Sequence, residues 1–226
     1  MVIDFVKIID IMSEEKFKSS IMIFVQIVKN FILTNPESPL GQELLKGVIN
    51  VIKESGSKFD QELWKTFINV ISKLLDETLA SSLLEDRKEE MKRDNDTTDT
   101  RRSIGSSSSR LSNLCNTQSI QQLLLISSVE NISEYYDTLE YKDISILLDK
   151  VKNSYDLAHR FNMNIERRVE VLKNGSLRPV NNVLPGLIKQ ERQSLKIYFF
   201  VISKIYKSPK DHLTKSEASE MILTFA

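Results

Sequence analysis

Cysteine is nearly absent from this chain. Cys115 stands alone among 226 residues, so no intramolecular disulfide and no cysteine-rich metal site can form. That usage is consistent with a reducing, intracellular compartment. Histidine is almost as scarce, with only His159 and His212. A hydrolytic triad or a two-histidine metal site would need both to converge with an acid from separate elements, and histidines near helix ends more often cap or half-face water. Six glycines and five prolines are too few for many short strands and tight turns. Gly105, Gly175 and Gly186 fall in no Walker or dinucleotide spacing. Net charge is missing too: 31 basic residues balance 31 acidic ones, which removes the general basic footprint that nucleic-acid binding needs. The sequence therefore predicts no enzyme, no cofactor, no metal site and no nucleic-acid partner.

Nor does any run reach the ~18 apolar residues of a bilayer span. The nearest, Ile21 to Leu33, is broken by Gln26, Lys29 and Asn30. Met1-Val2-Ile3-Asp4-Phe5 carries an early acid and no basic stretch, unlike a signal peptide. Any membrane contact is expected to be peripheral or through partners.

What remains is helix. Hydrophobic residues at 41% and charged ones at 27% fit an ordinary globular chain with enough material for a core. Val2 to Met12 is apolar nearly all round and predicts a buried helix. Ser13 with Glu14 and Glu15 signals the start of a second helix, ending near Thr34 at Asn35-Pro36. Ser38-Pro39 opens a third, with the stripe Leu40, Leu44, Leu45, Val48, Ile49 and Ile52 before Ser55-Gly56. Asp60 caps a fourth that carries Trp64, Phe67, Ile71 and Leu75. From Asp86 to Thr117 the pattern dissolves into mixed charges and serines. Such a segment buries too little apolar surface to offset ~1–2 kcal/mol of backbone entropy per residue. Order resumes at Gln118, with Ile120, Leu123, Leu124, Val129 and Ile132.

Three domains follow: helical repeats over 1–85, a disordered Ser- and charge-rich linker over 86–117, and helical repeats over 118–226. Within the linker, Arg101-Arg102-Ser103 resembles the target of a basic-directed kinase, which makes Ser103 a candidate phosphosite; a plain solvated linker is the simpler account.

The most specific stretch runs from Tyr141 to Tyr206. Ile144, Leu147, Leu148, Val151, Tyr155 and Ala158 form a stripe. Phe161-Asn162-Met163-Asn164 follows, then a shorter helix ending at Asn174-Gly175. After a Pro-containing loop, Leu187-Ile188-Lys189-Gln190-Glu191 opens a long helix through Leu195, Tyr198, Phe199, Ile202, Ile205 and Tyr206. Leu147-Leu148-Asp149, the Phe161-to-Gly175 segment, and Pro185 with Ile188-Lys189-Gln190-Glu191 and Ser194-Leu195 resemble the C-terminal helical region of the large Arf guanine-nucleotide exchange factors, the Sec-seven/BIG (brefeldin A-inhibited) class. Weaker likeness extends through Ser119–Ile132 and Lys58–Leu79. The chain departs from that pattern at the longer connector Leu177–Leu184 and at Gly186.

The resemblance implies an all-α fold of antiparallel helix pairs stacked as a HEAT-like, armadillo-like α-solenoid. The residue pattern alone leaves a compact irregular bundle open. The resemblance also implies a regulatory or scaffolding region without the exchange domain, cytoplasmic and peripheral to trans-Golgi membranes. Its expected partners are an Arf-family small GTPase or other regions of the parent exchange factor. A free-standing helical adaptor unrelated to Arf is the rival reading.

Phe161, Asn162, Asn164, Arg168, Lys189, Gln190 and Glu191 are the candidate motif. They are read either as a polar knot that locks adjacent helices or as a docking surface, with Glu191 expected to pair with Arg167 or Arg168. Lys189, Arg192 and Lys196 share a helical face, followed by Lys204, Lys207 and Lys210. That basic edge is either simply solvated or suited to weak contact with an anionic membrane.

Overall fold

The computed structural model describes the backbone of residues 12–84, 104–173, 187–208 and 212–223, and their side chains except those of 104–113, 212–215, 221 and 223. The expected helix before Met12, the candidate phosphosite Ser103 and the connector with Gly175, Pro185 and Gly186 lie outside the described residues. Every regular element among the described residues is helical. In order they are α1 (Glu14–Thr34), α2 (Pro39–Ser55), α3 (Gln61–Glu77), α4 (Ile104–Ile132), α5 (Tyr141–Met163), α6 (Ile165–Lys173), α7 (Ile188–Lys207) and α8 (His212–Leu223), with short 3-10 turns at Gly56–Lys58, Ser81–Leu83 and Ser133–Thr138.

Helix starts follow local chemistry. The Asp60 carboxylate accepts the Leu63 N–H at 2.8 Å, which satisfies one orphan donor of α3. The Lys18 ammonium and that N–H hold the Asp60 carboxyl below its usual range. Pro39 opens α2 at a position that needs no donor. Ser13 does stand at the N-cap of α1, although its hydroxyl makes no capping bond.

The helices pack in two rows. α1 touches α3, and α3 touches α5. In the second row α2 touches α4, and α4 touches α7. The rows meet as pairs: α1 with α2, α3 with α4, and α5 with α7, while α8 lies against α7. Each row turns its apolar stripe inward. From α1 that stripe is Phe17, Ile21, Val25, Val28 and Ile32; from α3 it includes Trp64 and Phe67, both fully buried. α1 has the length and mean hydropathy, 1.3 over 18 residues, of a membrane span. Five of its residues form a buried stripe in the protein core, while Ile23 and Ile27 on the other side are 61% and 57% exposed. A smaller cluster, containing Leu83, Cys115, Leu157, Phe161, Val171 and Leu187, gathers around the ends of α3, α5 and α7.

The linker expected over 86–117 is corrected at its C-terminal side. α4 begins at Ile104, and Cys115 and Thr117 are only 1% and 8% exposed. Composition predicted too little burial there. Instead Cys115 joins the smaller cluster, and the Ser119 hydroxyl bonds back to its carbonyl at 2.8 Å. Packing of one face decides helix formation over weak propensity.

Gly56 is required by close approach. Its backbone is ordinary right-handed helix, φ −59° and ψ −30°. A Cβ there would meet the Tyr135 ring at 2.6 Å. That ring lies 5.1 Å from Trp64, and its hydroxyl donates to the Ile52 carbonyl at 3.2 Å. Gly56→Ala is expected to lower the unfolding free energy by about 1–3 kcal/mol, as overpacking does. In a Tyr135→Ala background the same change should be neutral or slightly stabilising. Urea midpoints of the four proteins check this.

Candidate functional site

The end of α5, the whole of α6 and the start of α7 converge on a polar joint. Asn164 closes α5, its N–H bonded to the Phe161 carbonyl at 3.2 Å. The same residue opens α6: its Oδ1 accepts the Arg167 N–H at 2.9 Å, and its carbonyl accepts that of Arg168 at 3.0 Å. One asparagine thus satisfies groups of two helix ends.

Asn162 ties α5 to α7. Its Oδ1 accepts the Leu187 N–H at 2.7 Å, where α7 begins, and its Nδ2 donates to Glu191 Oε2 at 2.5 Å. The other carboxylate oxygen of Glu191 lies 2.8 Å from His159 Nδ1. The His159 ring stacks on Tyr155 at 5.5 Å, one turn earlier on α5. Glu191 sits in the first turn of α7, where a negative charge also suits the helix dipole.

This corrects the expected pairing of Glu191 with Arg167 or Arg168. Arg168 Nη1 donates to the Asn162 carbonyl at 3.1 Å. Arg167 turns the other way. Its side chain is 8% exposed, and it donates to the Leu83 carbonyl at 2.7 Å, the Ser82 carbonyl at 3.1 Å and the Glu170 carboxylate at 2.6 Å. A charge swap, Arg168→Glu with Glu191→Arg, should therefore give no recovery of stability. Asn162→Ala and Glu191→Ala should couple instead, by about 1 kcal/mol in a double-mutant cycle. Denaturant melts of the two cycles separate the pairings.

The motif residues divide. Phe161 is fully buried in the smaller cluster. Asn162, Asn164, Arg168 and Glu191 meet in the joint. Lys189 is exposed and takes no part in it. Gln190 faces inward, its Nε2 donating to Ser154 Oγ at 2.9 Å. From there a buried chain runs across the rows. Ser154 Oγ donates to Gln122 Oε1 at 2.8 Å. Gln122 Nε2 then reaches the Leu75 carbonyl at 2.6 Å and Thr78 Oγ1 at 2.8 Å. The sequence reading missed Gln122, Ser154 and Thr78. Their one signal was polarity at positions where the apolar stripes of α4 and α5 continue.

Chemically, these groups close helix ends and fix helix–helix angles. His159, with its side chain 45% exposed beside Glu191, is a carboxylate-bonded histidine at a helix end; the side chain of His212 lies outside the described residues. Among the described residues no group of three or more His, Cys, Asp or Glu side chains is placed to hold a metal ion.

Comparison with known families matches residues 120–225 to the BIG2 C-terminal domain. The span begins inside α4 and takes in the joint and α7. No curated protein and no solved structure matches the chain.

Proposed function

We propose that this chain, whose residues 120–225 match the BIG2 C-terminal domain, is a non-catalytic regulatory and scaffolding region of a large Arf guanine-nucleotide exchange factor. In this reading it supports membrane recruitment and control of Arf activation in Golgi vesicle transport, from the cytoplasmic side. Its helix pairs are the stacked units of a HEAT-like solenoid. The family match carries the reading, and the packing supports it: the α1–α2 pair meets α3 and α4, and that pair in turn meets α5 and α7, around a shared core. Its partners would be the Arf GTPase or other regions of the parent factor, met through surfaces that the polar joint holds in fixed geometry.

The test is an exchange assay on liposomes. The parent exchange factor, intact and lacking this region, is incubated with Arf, and nucleotide release is followed by fluorescence. Loss of the region is expected to change the membrane-dependent exchange rate several-fold while leaving the isolated exchange domain in solution unchanged. An unchanged rate on membranes, together with no binding of the chain to Arf or to the rest of the factor, would leave the free-standing adaptor as the better account.

A further inference from the structure

α7 presents a second, outward face that the joint does not use. At 3.6 residues per turn its exposed positions fall into two parallel strips. Along one strip lie Ile188, Phe199 and Tyr206, 41%, 41% and 56% exposed. Along the other lie Lys189, Arg192, Lys196 and Lys207, all exposed. The helix has a single carboxylate, Glu191, and that group is turned inward to His159 and Asn162. Among the described residues, two acids outside α7 pair with its cations. Glu130 reaches Lys196 at 3.5 Å, while Glu134 holds Lys204 at 2.6 Å, on the side where Lys204 covers Phe200.

We propose that this face of α7 is a peripheral docking surface for an anionic lipid bilayer. Cations and apolar side chains set in adjoining strips match a helix lying in the boundary between headgroups and acyl chains. The long lysine stems keep their charges at headgroup level while ring edges go deeper. Tyr206, with an apolar body and a polar tip, suits that depth. The excess of positive charge selects an anionic surface over a neutral one. The surface deepens the proposed role by naming how the domain meets a membrane, and for its biological setting it rests on that reading. Lipid binding is measured on this chain alone and exchange control on the parent factor, so each can fail without the other.

The experiment is flotation of the 226-residue chain with vesicles of phosphatidylcholine alone or with about one third phosphatidylserine, at low and high salt. Binding is expected to the acidic vesicles only and to weaken with salt. The triple variant Lys189→Gln, Arg192→Gln, Lys207→Gln should partition roughly 100-fold less well, at about fivefold per near-surface cation. These side chains are exposed, and an unchanged melting curve confirms that the variant is folded. Phe199→Trp gives an independent readout. Its fluorescence should be quenched by lipids brominated in the acyl chain, against a background from buried Trp64 that is not. Equal binding to both vesicles, no binding to either, or full binding by the triple variant would overturn the proposal. So would capture of an acidic polypeptide such as polyglutamate without any vesicle binding, which would make the face a protein contact.

Discussion

Replacing Arg167 by Met should cost about 3 kcal/mol of stability, the largest loss expected from any single polar substitution in the joint. The guanidinium donates to two backbone carbonyls, of Leu83 and Ser82, and to Glu170. Met keeps the apolar stem and removes every donor. Each charge-assisted bond lost is worth roughly 1.5–3 kcal/mol, and relief of the buried cation's desolvation offsets part of the sum. Lys should restore less than half, because a point charge cannot fork to two carbonyls as the planar guanidinium does. The loss should also be local in its first effect. Ser82 and Leu83 belong to the turn after α3, so freeing their carbonyls should speed hydrogen exchange at the amides of Leu83 and Leu84 before the rest of the chain opens. A Met variant within about 1 kcal/mol of the parent, with unchanged exchange at those amides, would show that the fork does not hold the turn.

The consequence reaches beyond stability. Arg167 lies inside the family-matched span, while Ser82 and Leu83 lie outside it. The fork is thus a direct link between the joint inside the matched span and the helices that precede it. Weakening it should let the α1–α3 part shift against the α5–α7 part, although the apolar packing of α3 on α5 remains.

What the sequence made legible follows from which interactions are local. Ser13, Asn35-Pro36, Ser38-Pro39 and Asp60 bound α1, α2 and α3 within a residue or two, because capping is decided by neighbours in the chain. Apolar periodicity likewise told which side of α5 faces inward; on α7 the expected stripe is corrected at Phe199 and Tyr206, which turn outward, 41% and 56% exposed. It could not tell which residue on the next helix each polar group meets. Arg167 and Arg168 were the partners expected for Glu191, and only the crossing of α5 and α7 selects His159 and Asn162. The early start of α4 was hidden for the same reason: Cys115 is buried by Leu83, Phe161 and Leu187, all distant in sequence. Gln122 and Ser154 looked like interruptions of a stripe, whereas each supplies the other's buried hydrogen bond.

That buried chain sets the last expectation. Gln122→Leu should cost about 3 kcal/mol. The Leu75 carbonyl belongs to the last turn of α3, where no helical N–H reaches it, and Thr78 Oγ1 and Ser154 Oγ each lose one partner, keeping only the Leu74 carbonyl and Gln190 Nε2. Each buried group left without a hydrogen bond costs about 1–3 kcal/mol. Coupling should pass through Ser154, so Gln122→Leu and Gln190→Leu should be non-additive by about 1 kcal/mol without touching each other. The triple variant Gln122→Leu, Ser154→Ala, Gln190→Leu is expected to regain part of the loss, since it removes the polar side chains of α4, α5 and α7 together and also the Gln190 Oε1 that no hydrogen bond satisfies, while the Leu75 carbonyl stays without a donor. If the chain serves to fix the crossing of these helices, the triple variant should be stable yet less uniquely packed. Its urea midpoint would lie above that of Gln122→Leu while its near-ultraviolet circular dichroism and amide dispersion weaken. A triple variant equal to the parent in both measurements would mean that apolar packing alone sets the geometry, and that the polar chain serves only its own hydrogen bonds.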